Sequence, residues 1–294
     1  MQYEQQARID VAPFDLHATM AMQHLGRFDP TGRRGADWFA KVHLDGEERP
    51  VTWQFRTTAS GLDVTVAGAD DGALSHFVSR FPLDDGASAF DPCHPVLERL
   101  ARAYTGLRLM PVPWTFDVAA GAVLQQRVRW QVAYTDFARI ARRWGTPTPA
   151  GIAFPSARQL AAVPACALEA AGIDGKRARA LHALARAEAQ RPFLRPETGL
   201  GAVRLRLLRI PGIGPWTANT ITGYALGDTD AVPVGDLHLP SIVTSALAGE
   251  AEGTDARMLE LLEPCRGQRF RAVRLICWAA RRAPHLLRAP AVRA

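Results

Sequence analysis

The hydrophobic pattern of this chain changes period once, near Pro111 and Pro113, and no single layer of structure can serve both halves. Before that point, residues 37–44, 51–55 and 62–66 place aromatic and β-branched side chains two apart, the spacing of half-buried strands. They predict an antiparallel sheet, with helices expected over residues 15–25 and 95–104. From Trp114 onward apolar residues recur at helical spacing in short pieces separated by Gly and Pro. Residues 116–144 read as one or two helices. Ser156 with Gln159 three positions later forms a capping box that opens another. Residues 176–190, 237–247, 256–262 and 270–282 complete the helical set. The predicted fold class is α+β, an N-terminal antiparallel sheet with flanking helices followed by an all-α domain. The expected divisions are residues 1–112, residues 113–283 and a loose tail over 284–294, where Pro284 and Pro290 stand among arginines.

A chain of 294 residues with 48% hydrophobic and 22% charged residues belongs to neither the disordered nor the fibrous class. Its formal charge of +6 favours a polyanionic partner such as nucleic acid. Lys41 and Lys176 are the only lysines. The cysteines, Cys93, Cys166, Cys265 and Cys277, show neither metal-ligand spacing nor a disulfide framework, which suits a reducing, intracellular setting. Residues 1–10 are polar and the apolar runs are shorter than a membrane span, so a cytoplasmic protein without membrane contact is expected.

The most informative stretch is Leu-Leu-Arg-Ile-Pro-Gly-Ile-Gly-Pro-Trp-Thr-Ala-Asn-Thr-Ile over residues 207–221. An apolar helix ends in Pro211, Gly212, Ile213 and Gly214, and a second begins at Pro215. Such a tight hairpin exposes backbone N–H groups beside a helix N-terminus, a concavity that suits a phosphate oxygen. The same residues also read as a plain helix C-cap followed by a proline at the first helical position. Further on, Val-Pro-Val-Gly-Asp-Leu-His-Leu-Pro over residues 232–240 places Asp236 between Gly235 and Leu237, at the mouth of another helix. An aspartate there serves as an N-cap, and that role is compatible with chemistry.

The glycine hairpin and the later aspartate together resemble the helix-hairpin-helix (HhH-GPD) DNA glycosylase superfamily, and are most similar to its 3-methyladenine DNA glycosylase II branch. The resemblance runs from about Pro13 to Trp278. It includes Gly106 to Leu109, Phe116, Gln125 and Gln126, the stretch from Phe154 to Leu160, Gly172 and Ile173, Lys176 to Ala178, and Leu262 to Pro264 with Arg266 and Arg269. The resemblance implies an all-α helix-hairpin-helix glycosylase domain acting on double-stranded DNA with damaged bases, as a monomer. Asp236 would be the catalytic carboxylate that stabilises an oxocarbenium-like sugar. Trp216, Thr220 and Trp278 would line the pocket for an extruded base. Gln125, Gln126, Pro211, Gly212, Ile213, Gly214 and Thr217 would contact the DNA.

Members that also cut the strand place a lysine directly after the hairpin; here Trp216 stands near that position, so a hydrolytic, lyase-free enzyme is expected. Only Cys265 and Cys277 lie where other members hold an iron–sulfur cluster, so neither that cluster nor any other metal is expected; the resemblance allows a monovalent cation at the hairpin. Two departures bear on substrate range. Thr220 stands where the branch often has an aromatic residue, and Gln126 and Arg127 replace the usual residues of the segment that wedges into the gap left by the base. Asp228 and Asp230 read as solvated turn residues. His238 reads as a structural hydrogen-bonding residue within reach of the same cleft. Two other readings stay open, a non-catalytic damaged-DNA-binding protein and a glycosylase for oxidised or mismatched bases.

Overall fold

The computed structural model describes residues 4–21, 23, 29–70, 72–81 and 85–287. Five strands, β1 (Glu4–Ile9), β2 (Gly32–Arg34), β3 (Trp38–Leu44), β4 (Pro50–Thr58) and β5 (Gly61–Ala67), form one antiparallel sheet in the order β1-β5-β4-β3-β2. Alternation drives it: Val51, Trp53 and Phe55 of β4 and Leu62, Val64 and Val66 of β5 are buried with Phe39 of β3. These side chains form a core with Leu74 and Phe77 of α2 (Ala73–Arg80) and with Trp114. Trp114 is 2% exposed and donates its Nε1–H to Gln23 Oε1 at 3.0 Å, so the indole meets both demands of burial at the junction. Burying one such ring contributes roughly 1.5–3 kcal/mol.

The sheet is larger than the sequence suggests, because β1 has few apolar residues and β2 only three positions. The helix expected over 15–25 is confined to α1 (Leu16–Thr19), capped by Asp15, whose Oδ1 accepts from Ala18 N–H at 2.8 Å; residues 22, 24 and 25 lie outside the described ones. The second expected helix is α3 (Pro95–Ala103).

Beyond Trp114 come α4 (Thr115–Leu124) and α5 (Trp130–Trp144), then a small hairpin of β6 (Thr146–Thr148) and β7 (Gly151–Ala153). The hairpin is a short addition to the otherwise helical part that was expected. This hairpin lies against β3, and Ile152 N–H donates to Pro30 O at 2.8 Å. Next are α6 (Ala157–Ala161), opened by the expected Ser156–Gln159 capping box, α7 (Ala165–Ala170) and α8 (Gly175–Gln190). The chain continues through α9 (Leu200–Leu208), α10 (Pro215–Leu226), α11 (Leu239–Ala248), α12 (Asp255–Leu262) and α13 (Arg269–Arg282).

Helices α4 to α10 enclose one core and α11 to α13 another. The second also takes in Ala18 and the buried face of α3, Val96, Leu97 and Leu100, so residues 1–112 contribute to two cores. Buried arginines of α13 tie the chain ends together. Arg271 donates to Asp85 O at 2.7 Å and pairs with its carboxylate, and Arg274 donates to Ala18 O at 2.6 Å. Of the expected loose tail, residues 284–287 form a 3-10 turn docked on α3, where Arg99 donates to Leu286 O at 3.2 Å; residues 288–294 lie outside the described ones. No helix among the described residues is long and apolar enough to cross a membrane.

Candidate active site

The hairpin between α9 and α10 needs its first glycine for two reasons. Gly212 sits at φ +85, where a β-carbon is strained, and a β-carbon there would lie 2.7 Å from Cβ of Ala180 on α8. Gly214 is different. Its φ is −98 and no atom lies within 4 Å of a built β-carbon, so its surroundings are open. Gly214 is the N-cap of α10 and brings no side chain to cap the helix, which leaves first-turn N–H groups and the positive end of the helix dipole facing outward. Ile213 is 5% exposed and anchors the turn in the α4–α10 core, while Pro211 is exposed.

Gln126 at the end of α4 holds the hairpin from the side. Its Nε2 donates to Gly212 O at 2.9 Å and to Thr217 Oγ1 at 2.8 Å, and Thr217 is buried. Gln125 turns back on its own helix, donating to Gly121 O at 3.1 Å. With both amide hydrogens of Gln126 engaged, the exposed tip of this loop is Arg127, at φ +56, followed by Arg129 and Trp130, which is 55% exposed.

Asp236 lies 20 residues beyond Trp216, yet the two meet: Trp216 Nε1–H donates to Asp236 Oδ2 at 2.7 Å. The other carboxylate oxygen, Oδ1, accepts from His238 N–H at 2.8 Å and Leu239 N–H at 2.9 Å. The N-cap of α11 is His238 rather than Asp236, and the Asp236 carboxylate, two residues before it, is fixed by three donors while remaining only half-buried. Trp216, expected as a wall residue, thus holds the Asp236 carboxylate, a contact that spacing alone could not show. His238 is exposed and contributes its backbone N–H.

Thr220, one turn further along α10, is 5% exposed and its Oγ1 has no hydrogen-bond partner. It lines a recess of about 20 Å³ with Gln23, Lys41, Asp117, Gln125 and Tyr224. Trp278 is half-buried on α13 with the Arg282 guanidinium 5.0 Å from its ring. Close by, Cys277 feels the Asp236 carboxylate and Arg281, and Arg281 also acts on Tyr134 of α5 and Tyr224 of α10. Against α10, the Arg274 guanidinium of α13 lies 4.7 Å from the Tyr224 ring. Tyr134, Tyr224, Trp130 and Arg281 were not singled out in the sequence; the aromatic residues of α5 offered the only signal. A groove of about 1290 Å³ passes Leu237 and His238 between α3, α11 and the end of α13. A cleft of about 980 Å³ between the sheet and α2, α4 and α8 contains none of the predicted site residues.

Two expectations are corrected. Asp228 and Asp230 are paired with arginines rather than simply solvated. Asp228 is 5% exposed and pairs with Arg204. Asp230 accepts from Gly267 N–H at 2.8 Å, Arg269 N–H at 3.1 Å and Arg269 Nε at 2.8 Å. Burial pushes the Asp230 carboxyl up, but its Arg269 and Gly267 bonds outweigh this and hold it below the usual range. Both aspartates brace the loop that leads to Asp236. Lys41 is buried and pairs with Asp117 at 3.2 Å, and Lys176 is exposed at the start of α8. Among the described residues no three His, Cys, Asp or Glu side chains gather as a metal site needs.

Known proteins resemble this chain in sequence and in fold. Residues 120–266, half of the chain, match the family described as HhH-GPD superfamily base excision DNA repair protein. The Escherichia coli protein named DNA-3-methyladenine glycosylase 2 is 38% identical over 137 residues, 43% of this chain and 48% of that one. A Mycobacterium tuberculosis protein named probable bifunctional transcriptional activator/DNA repair enzyme AlkA is 35% identical over 138 residues, 44% of this chain and 27% of that one. The matches thus span between about a quarter and a half of the length of these relatives. A 3-methyladenine DNA glycosylase from Archaeoglobus fulgidus superposes with a TM-score of 0.77 at 18% identity, covering 95% of this chain and 99% of that one, and so shares the fold. With its hairpin, its anchored aspartate and its family match in agreement, the chain belongs to the HhH-GPD superfamily of base excision DNA repair proteins.

Proposed function

We propose that this protein is a monofunctional DNA glycosylase that extrudes a damaged, alkylated purine from double-stranded DNA and hydrolyses its N-glycosidic bond. One observation carries the reading: the Asp236 carboxylate is held by Trp216, His238 and Leu239 on the chain segment that follows the hairpin helix. As the base departs, positive charge develops on the sugar, and a carboxylate already oriented stabilises it without reorganising. The names of the relatives from E. coli and A. fulgidus point to the same substrate class.

The uncapped N-terminus of α10 supplies the phosphate anchor. Lys176, one turn before the Ala180 that touches Gly212, and the exposed Arg209 add positive charge. The vacated stack is filled by Arg127 rather than Gln126, whose amide is occupied by the hairpin. A guanidinium can stack on the neighbouring bases while pairing with phosphate. Trp216 and Trp278 flank the extruded base, and stacking there is worth about 1–3 kcal/mol.

Hydrolysis without strand cleavage follows from the lysines. Lys41 is engaged by Asp117, and Lys176 sits on α8 rather than after the hairpin. No cofactor enters the proposal. No step is routed through a cation at the hairpin. The enzyme is taken to act as a cytoplasmic monomer.

The test is a panel of duplexes carrying 3-methyladenine, 7-methylguanine, hypoxanthine, ethenoadenine or 8-oxoguanine. The proposal expects release of methylated purines, an intact abasic strand that breaks only in alkali, and no adduct after borohydride. Release of 8-oxoguanine alone, a borohydride-trapped adduct, or tight lesion binding without any release would each overturn it.

A further inference from the structure

The cysteines are scattered in sequence, but the fold brings two of them together. Cys93 is exposed in the loop before α3, at φ +44, a left-handed conformation that a side chain with a β-carbon rarely adopts. Asp91 Oδ1 holds the turn by accepting from Cys93 N–H at 3.2 Å. The Cys93 thiol reaches the carbonyls of Asp91 at 3.3 Å and Pro264 at 3.4 Å, and Pro264 immediately precedes Cys265. The Cys93 thiol thus lies against the backbone immediately before Cys265, and its charge acts on the Cys265 thiol. Cys265 is 4% exposed and closes the 3-10 turn after α12, within the α11–α13 core. One thiol of the pair is open to solvent and the other is shielded within that core.

We propose that Cys93 and Cys265 form a reversible redox site, oxidised by a small-molecule disulfide to an intramolecular disulfide that joins the loop before α3 to the turn after α12. In the first step the exposed Cys93 thiolate attacks one sulfur of a low-molecular-weight disulfide such as oxidised glutathione. A mixed disulfide forms and one glutathione thiolate leaves. In the second, the Cys265 thiolate attacks the Cys93 sulfur and expels the second glutathione thiolate. Two protein thiols are oxidised, one glutathione disulfide is reduced to two thiols, and the protons from both cysteines end on the released glutathione. The order follows from access, since Cys265 meets the reagent only through Cys93.

Burial, followed by the Asp91 charge, holds the Cys93 thiol above its ordinary range, and burial with the neighbouring Cys93 pushes Cys265 up to about 11. Thiolate is therefore scarce at neutral pH, and bridge formation accelerates as pH rises. The bridge would fasten the segment carrying Asp85, which pairs with Arg271, to the C-terminal helices.

The experiment treats the full-length protein with excess oxidised glutathione at pH 8, blocks residual thiols, and maps the peptides by mass spectrometry with and without prior reduction. The expected result is one cross-linked pair, Cys93 with Cys265, reversed by dithiothreitol, while the exposed Cys166 carries glutathione. Cys265→Ser should leave Cys93 as a stable glutathione adduct, because nothing resolves it, and Cys93→Ser should leave Cys265 unmodified. A parent protein that retains glutathione on Cys93 with Cys265 free, or in which both stay reduced while Cys166 reacts, would overturn the proposal.

Discussion

Replacing Trp216 by Phe isolates the bond that orients the acid from the aromatic surface around it. The substitution keeps a flat ring at the start of α10 and removes only the Nε1–H that donates to Asp236 Oδ2 at 2.7 Å. A hydrogen bond to a charged group contributes about 1.5–3 kcal/mol. Asp236 keeps its two backbone donors and is half-buried, so the loss falls towards the low side, about 1–2 kcal/mol. If that stabilisation is present in the transition state, the rate falls roughly 5- to 30-fold. Single-turnover release of 7-methylguanine, with enzyme in excess over lesion duplex, reads it directly. Binding to a duplex containing a stable abasic analogue should stay within about two-fold. Trp216→Leu removes the ring as well and should weaken lesion binding in addition to the rate. Excision by Trp216→Phe at the parent rate would show that the indole N–H does not position the carboxylate, and equal losses in rate and binding would return Trp216 to a wall residue alone.

Three further outcomes follow. Gly212→Ala, which must adopt φ +85 and meets Ala180, should cost about 1–3 kcal/mol in urea unfolding, whereas Gly214→Ala should leave stability within about 0.5 kcal/mol yet weaken binding to undamaged duplex several-fold at low salt. Undiminished binding by Gly214→Ala would remove the helix terminus from the DNA contact. Asp230→Asn should destabilise the fold by about 1–3 kcal/mol, because it weakens the Arg269 pair and the cap on Gly267, while lesion-binding changes little; a neutral effect on unfolding would restore it to a solvated turn residue. His43, whose Nε2 accepts from Trp53 and whose Nδ1–H donates to Leu44 O, is lowered by burial to about 4, so proton NMR should show it neutral well below pH 6.5. Because the unfolded chain takes that proton first, its contribution of up to about 3 kcal/mol is complete above pH 6.5 and is lost as pH falls towards 4. Asp117, raised by burial to about 6, works the other way, since its folded-state penalty is relieved on acidification; a His43 midpoint near 6.5 would contradict the buried, neutral assignment.

What the sequence shows and hides divides along a physical line. Strands β3, β4 and β5 were legible because each alternates large apolar with polar residues, and α6 was legible because Ser156 and Gln159 cap each other locally. β1 was hidden because its pairing with β5, not its own composition, makes it a strand. The β6–β7 hairpin is too short to show a period. At the site, the glycine hairpin and Asp236 were readable as motif residues, since local backbone demands fix them. The Trp216–Asp236 bond, the Gln126 clamp and the approach of Cys93 to the turn that holds Cys265 were not, because each joins residues whose proximity exists only after the helices pack. Asp228 and Asp230 misled for the same reason. Gly-Asp-Thr-Asp reads as a wet turn, and the arginines that bury it, Arg204 and Arg269, come from other helices.

In the proposed reaction the Asp236 carboxylate stabilises charge that exists only as the glycosidic bond breaks. Asp236→Asn retains size and can still accept from His238 and Leu239 N–H while losing the charge. An interaction made only in the transition state appears in the rate and not in ground-state binding. Single-turnover excision of 7-methylguanine by Asp236→Asn should therefore fall by about two orders of magnitude or more, the scale of losing one charge-stabilising group, with binding to lesion duplex little changed. Excision by Asp236→Asn within a few-fold of the parent rate would contradict the account and leave a different acid, or no catalysis at all, to explain the fold.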